Sequence, residues 1–477
     1  HLPGRQAHAC CRRGADGHVQ LRGIGHHERG GHRLQRLPRR HLALEHAPGQ
    51  RCAQLVFARQ PTPGCRRQRQ CPRELRLGGP GLLLQRAAAL GTCGRHDALG
   101  QQVGIAPRLP RRQPCFAGRA PGIGLEHHRS SENSRGTDYF TKWDDGDSDR
   151  GLLPHEFVHS WNGKYRRPDK LWTPDYRTPM QGNLLWVYEG QTSFWDLVLA
   201  GRSGLQSKDT ILGEWASNAA FYSVQPGRAW RSVEDTTLDP VIAARKPRPF
   251  PSATRTEDYY NEGSLVWLEA DMLIRGATNN AKSLDDFARG FFGGRDGDWG
   301  EVTYNFADVV AALNAVYPYD WDKFLRTRLQ EPGQPAPVGG IEKAGYRLVW
   351  RDAPNAYDRA RMARAKNFDL THSLGMTVDK DGVAGSILWD GPAFRADIIN
   401  GTKILAVDGM AYNRERLEAA IRAAADGKTP VRLLVERGGR YRTVEIDYHD
   451  GLRWPHLEKV GTGPDWFDRL LAPKRAL

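Results

Sequence analysis

The sequence predicts an α+β protein in which a mostly helical domain is followed by a small β-rich one, behind a first quarter without recognisable fold. Three observations carry this. Composition changes abruptly near residue 120. Apolar residues recur at helical spacing between residues 183 and 316. Residues 371–450 then break into short strand-like runs around one amphipathic helix. A chain of 477 residues has room for two or three domains and a substantial core.

Residues 1–119 hold 22 Arg and no Lys against five acids, a net +17, whereas residues 120–477 hold 47 basic and 50 acidic side chains, a net −3. The formal +14 therefore belongs to the first quarter and says nothing about the partners of the rest, for which no nucleic acid is expected. The same stretch has all seven cysteines and nine of the 16 histidines but no Ser, Asn, Tyr, Trp or Met. Runs such as HHERGGHRLQRLPRRH show neither strand nor helix periodicity. Three readings compete. A nucleic-acid arm would usually include Lys, Ser and Gly repeats. A zinc-knuckle or disulfide module would show paired cysteine spacings, and only Cys10 and Cys11 come close. Out-of-frame translation of GC-rich DNA yields this composition, and the His at position 1 agrees with it; residues 1–119 are expected to be such a product, or disordered. A signal peptide would have stood there, so localisation is left open between periplasm and cytoplasm. The absence of Cys after residue 120 fits either. No later stretch approaches the roughly 20 apolar residues of a membrane span, and no transmembrane segment is expected.

Residues 120–330 form the first folded domain. In LLPHEFVHSWNGKYRRP, residues 152–168, a helix would put His155 and His159 on one face with Glu156 beside them. That is half of a zinc site, with a carboxylate placed to take a proton from a metal-bound water. The bare H-E-x-x-H pattern also arises by chance, so context decides. Asn183 is the expected N-cap of an apolar helix, LLWVYEGQTSFWDLVLAG, that stops at Gly201. An acid in so apolar a helix needs a partner, which makes Glu189 the candidate third ligand; an exposed or salt-bridged glutamate is the alternative. Seven residues on, nearly two turns, Asp196 returns to the same face. It is placed to accept the second N–H of a zinc histidine, or else is a solvated aspartate. Further helices are expected over 261–275, 283–292 and 306–316. QEPGQPAPVGG, residues 330–340, reads as a linker, and 331–370 as a connecting segment.

Over 371–450, SLGMTV, GVAGSIL, KILAVDG, VRLLVE and RTVEIDY read as strands, and the glycine pair in ERGGRYR as a hairpin. ERLEAAIRAAADG puts Leu417, Ala420, Ile421 and Ala424 on one helical face before Gly427. This arrangement resembles a PDZ domain, with Ser373-Leu374-Gly375-Met376 in place of the carboxylate-binding loop. The resemblance implies that Leu374, Gly375 and Met376 capture a peptide C-terminus, the peptide adding a strand to the sheet edge. An ordinary small β-barrel without a ligand is the alternative, and Asn400-Gly401-Thr402 departs from the more usual Gly-Asp. Residues 451–477 are expected to be a tail.

HEFVHSWNGKYRRP followed by LWVYEGQTSFWDL resembles the glycyl aminopeptidase family of PDZ-containing gluzincin zinc metallopeptidases. That family's motif runs H-E-x-x-H-x-W-N-x-K, then R-P, then a downstream E-G, matched here by Trp161, Asn162, Lys164, Arg167, Pro168, Glu189 and Gly190. The resemblance covers about 122–450. It implies a thermolysin-like peptidase domain, peptide substrates, and one Zn2+ per chain on His155, His159 and Glu189, with Glu156 as general base. Gly124-Leu125-Glu126-His127 is similar to the family's exopeptidase strand, which makes Gly124 and Glu126 candidates to bind the α-amino group of the substrate; a structural strand end is the alternative. DYYNEG resembles the family's Tyr-Tyr-x-x-Gly helix start and implies that Tyr260 donates to the oxyanion, with Tyr259 as the neighbouring alternative. Glu262 stands where related aminopeptidases carry Lys. The function implied is an aminopeptidase that releases small N-terminal residues such as Gly or Ala. Its rivals are a broader aminopeptidase or endopeptidase, and a catalytically degenerate peptidase-fold binding protein acting through its PDZ domain.

Overall fold

The computed structural model describes residues 12–13, 19–20, 113–116, 124–128, 130–135, 139–140, 142–242, 250–295 and 300–474. The chain divides into two compact units, residues 1–74 and 75–477. In the first, β1 (Arg12–Arg13) and β2 (Val19–Gln20) form an antiparallel pair. The reading of residues 1–119 as an out-of-frame or disordered segment lies otherwise outside the described residues, except at β3 (Gln113–Phe116).

In the second unit, β3 lies parallel to β5 (Ser130–Asn133), and β4 (Gly124–Glu126) pairs antiparallel with the other side of β5. No strand was expected at β3. Ladder pairing uses the backbone, so a side-chain pattern need not announce it, and Pro114, which lacks an N–H, sits on the sheet's edge where that loss is tolerated.

A 3-10 turn over Asp144–Asp149 leads into α1 (Leu152–Val158), whose C-cap is His159, still in right-handed helical conformation. The turn of chain after α1 carries β6 (Arg166–Pro168), which pairs in parallel with β7 (Val302–Tyr304). The expected long helix is two: α2 (Leu185–Tyr188) and α3 (Gly190–Ser203), meeting at Glu189. Asn183 is not its cap; Leu184 holds that position without a side-chain hydrogen bond. The helix also runs past Gly201. A β-carbon on Gly201 would lie 2.8 Å from Ile211 and 2.9 Å from Leu471, so that glycine serves packing, and the left-handed terminus falls at Gly204, φ 74°.

α3 buries nearly every residue from Gly190 to Ala200, as expected of a helix apolar all round. α4 (Lys208–Ser223) and α5 (Asn261–Ala277) pack against it, and α6 (Leu284–Phe292), α7 (Phe306–Val316) and α8 (Trp321–Leu329) add side chains to the same core. Ser283 and Asn305 each close a capping box, which is why α6 and α7 begin where the sequence suggested. The core holds Trp186, Trp215, Trp267 and Trp321, all fully buried.

The expected linker is docked rather than loose. The Arg228 guanidinium donates to the carbonyls of Gln334 and Pro335, both at 3.0 Å, and Gly339 and Gly340 begin α9 (Gly339–Lys343) against α5. β8 (Tyr346–Arg351) and α10 (Ala356–Ala365) follow, and α10 packs on α4. A second core then forms between two sheets. One has the order β11-β10-β9, with β9 (Asn367–Leu370), β10 (Met376–Asp379) and β11 (Ala384–Gly385). The other has β12 (Lys403–Val407), β13 (Met410–Ala411), β14 (Val431–Arg437) and β15 (Arg440–Ile446) in the order β13-β12-β14-β15. α11 (Arg414–Ala424) covers it with Leu417, Ala420, Ile421 and Ala424 buried, the face read from the sequence. Gly438 and Gly439, both at positive φ, make the β14–β15 hairpin. The expected tail is structured too: β16 (Trp454–Lys459) pairs with β8, and α12 (Trp466–Leu471) buries Phe467 and Leu470 in the first core. Such a return over more than a hundred residues leaves no local sequence signal.

Candidate metal centre

α1 and the α2–α3 junction bring three side chains to one point. His155 Nε2 and His159 Nε2 each lie 3.3 Å from the same oxygen, Oε2 of Glu189. The ligand atoms of the three residues all fall within 4.8 Å of one another. Each imidazole is fixed from behind. His155 Nδ1 is 2.9 Å from Asp196 Oδ2, and His159 Nδ1 is 2.9 Å from the carbonyl of Asn162. With Nδ1–H donating there in each case, both Nε2 atoms face Glu189 Oε2, the orientation in which they can coordinate a metal. Burial alone would push the Glu189 carboxyl up, but His159 and His155 hold it well below the usual carboxylate range. Burial would lower the His155 pKa, but Asp196 and Glu189 raise it well above the usual imidazole range, so a metal would displace that proton; two imidazole nitrogens and an ionised carboxylate make a donor set that suits zinc.

The junction itself is built by two motif residues. Asn162 Nδ2 donates to the carbonyls of Val187 (2.7 Å) and Tyr188 (3.2 Å), and to Thr192 Oγ1 at 3.0 Å, tying the end of α1 to the chain on either side of Glu189. Gly190 lets α3 meet α5 backbone to backbone: a β-carbon there would lie 2.5 Å from the Tyr259 carbonyl and 3.0 Å from Gly263 Cα. The two glycines of E-G and Tyr-Tyr-x-x-Gly are thus one contact.

Glu156 lies beside His159, buried, with Oε2 making no hydrogen bond. Burial raises its carboxyl above the usual range, against the pull of His159 and His155. Gly124 lies against it: a β-carbon would fall 1.8 Å from Glu156 Oε1, so β4 reaches α1 only with glycine at this position. Glu126, on the same strand, receives Tyr188 Oη at 2.5 Å and lies 3.4 Å from Lys164 Nζ, both on Oε1. Against the upward push of burial, His159, Lys164 and the tyrosine hold it ionised. Glu126, Glu156 and His159 also bring ligand atoms within 4.8 Å. The set with Glu189 is the better metal seat, because there both imidazoles share one carboxylate oxygen. Tyr260, half-buried, stacks on His155 with ring centroids 6.2 Å apart, whereas Tyr259 is wholly buried behind it.

Sequence reasoning missed Tyr188 and Lys164 as the partners of Glu126, although Lys164 is a motif position. It also missed what surrounds Glu262: Arg228 donates to it at 2.6 Å, Arg255 also pairs with it, and Arg255 bonds Asp258 at 2.6 Å. Where related aminopeptidases carry a lysine, two buried arginines reach Glu262 and, with Asp258, balance the local charge. The loop Leu374–Met376 lies in the β-rich module, with Leu374 and Met376 buried.

Residues 148–266 match the family model for M61 glycyl aminopeptidase, a stretch that includes both histidines, Glu189, Asp196 and Tyr260. Over this segment the chain is similar to the glycyl aminopeptidase family. The match supports a peptidase. An aminopeptidase N family protein from Idiomarina loihiensis is similar over 82% of this chain and 67% of its own, with a TM-score of 0.61 at 18% identity, which shows a shared fold. A variant of an M1 zinc metallopeptidase from Deinococcus radiodurans, bound to a Tyr-Ser-Ala substrate, covers 51% of this chain and 44% of its own at a TM-score of 0.30 and 14% identity. Among curated proteins no sequence matches the chain.

Proposed function

We propose that the protein is a zinc-dependent aminopeptidase that removes small N-terminal residues such as Gly or Ala from peptides. The observation that carries this is the meeting of His155 Nε2, His159 Nε2 and Glu189 Oε2, each histidine locked by a second hydrogen bond. One zinc ion held there would supply Lewis acidity and lower the pKa of water toward neutrality. Glu156 then accepts the proton of the attacking water at Oε2, the oxygen left without a partner, and delivers it to the leaving amine. Tyr260 donates its phenol to the oxyanion as the scissile carbonyl becomes tetrahedral. Glu126 receives the α-ammonium of the substrate, which fixes the cut one residue in; Tyr188 and Lys164 orient its carboxylate through Oε1. The β-rich module, with loop 373–376 between β9 and β10 and α11 alongside, we read as PDZ-type.

The test is hydrolysis of Gly-, Ala- and Leu-anilides by the zinc-loaded chain. Turnover of the Gly and Ala substrates, abolished by a chelator and by N-acetylation of the substrate, is expected. Equal cleavage of acetylated peptides would replace the aminopeptidase with an endopeptidase. Stoichiometric zinc uptake without hydrolysis of any peptide would favour the degenerate binding protein.

A further inference from the structure

Resting on the PDZ-type reading of the β-rich module, we infer that its peptide groove is occupied by this chain's own β9. Asn367–Leu370 is then the ligand, held in cis, and the module does not take peptide C-termini in trans.

A PDZ-type module binds a peptide by adding it to the strand that follows the carboxylate-binding loop. Here that strand, β10, has no open edge. On one side Thr377 and Val378 pair with Gly385 and Ala384 of β11. On the other, all four residues pair antiparallel with β9, from Met376 opposite Leu370 to Asp379 opposite Asn367.

The loop is occupied as well. The backbone N–H groups of Ser373 and Gly375 both donate to the carbonyl oxygen of Leu370, at 3.0 and 2.9 Å. Two loop amides on one oxygen is the arrangement a terminal carboxylate would meet. The side chains follow the same register. Leu370 is buried, and two residues back, on the same face of the strand, Phe368 is buried beneath Arg414, the first residue of α11, whose guanidinium carbon lies 4.2 Å from the ring centroid. Both share a core with Leu417 and Ile421 of α11.

β9 is also anchored from behind. Asp369 receives the Arg361 guanidinium of α10 at 2.5 Å and the Thr371 amide at 2.9 Å. Three residues on, Arg364 pairs with Asp149 of the 3-10 turn that leads into α1. The filled groove therefore clamps α10 between the module and the approach to the metal helix. A tethered segment competes at an effective concentration on the order of millimolar or more, so a free peptide of equal intrinsic affinity is shut out.

Two measurements on the full chain test this. By hydrogen exchange, residues 367–370 and 376–379 are expected to be protected as strongly as β14; rapid exchange at 367–370 would overturn the inference. By fluorescence anisotropy, a labelled peptide ending in Asn-Phe-Asp-Leu with a free carboxylate should show no saturable binding to the unaltered chain up to roughly 1 mM. A Phe368→Ser, Leu370→Ser double variant, checked for retained protection of β14, should bind it at least about tenfold more tightly. Equal binding by both chains would also overturn the inference. Protection of 367–370 with no binding by either chain would instead defeat the PDZ-type reading beneath it.

Discussion

At the candidate metal centre each imidazole is held at both nitrogens, and that double constraint makes the residues' roles separable. Asp196 touches His155 and not the site of reaction, so Asp196→Asn is expected to weaken zinc about 10- to 100-fold, measured by competition with a chromophoric chelator. Glu156 is the reverse case. Its carboxylate makes no bond at Oε2, and Glu156→Gln should retain zinc while the rate of anilide hydrolysis falls about 100- to 10,000-fold. Near wild-type turnover in that variant would remove Glu156 as the base. The His155, Glu156 and His159 grouping was legible in sequence because one helical turn fixes it. The Glu126, Tyr188 and Lys164 cluster was not, since its members lie on three elements whose approach only the fold determines.

The α3–α5 crossing shows how an element is specified by what is missing from it. A methyl group on Gly190 would strike the Tyr259 carbonyl, so Gly190→Ala must push the helices apart beside Glu189. A loss of about 1–3 kcal/mol in urea unfolding is expected, with weakened zinc binding. Gly276, in the last turn of α5, meets nothing within 4 Å, and Gly276→Ala should stabilise by about 0.5–1 kcal/mol. The same unfolding measurement on both variants tests whether contact or propensity decides. Element legibility followed the same division. α6 and α7 carry their own capping boxes, and α7 fell on its expected bounds; the long apolar helix did not, because Gly201 looked like a terminus and is a packing contact.

Over the whole second unit, distant segments are locked by buried charge. Arg202 on α3 donates to Asp285 on α6 at 2.7 and 3.0 Å and to the Leu470 carbonyl on α12 at 2.8 Å, while Lys474 reaches Asp285 at 2.9 Å. Burial would push the Asp285 carboxyl up, but Arg202, Lys474 and Arg275 hold it well below the usual range. A depressed folded-state pKa gives stability that is fully present above the unfolded value of about 3.9 and is lost as pH falls below it. Asp285→Asn should therefore cost about 3–5 kcal/mol at neutral pH and flatten the acid decline; urea unfolding at pH 7 and pH 3 reads both. A decline as steep in the variant as in the parent would place the acid sensitivity elsewhere. None of this was visible in the sequence, where Arg202, Asp285 and Lys474 look like surface charges and the last residues like a tail. The proposed chemistry turns on zinc held by His155, His159 and Glu189. Anomalous diffraction at the zinc edge, from crystals grown with one equivalent of zinc, should place a single peak about 2.0–2.2 Å from His155 Nε2, His159 Nε2 and a Glu189 oxygen. A peak on other residues, or none at these three, would contradict it.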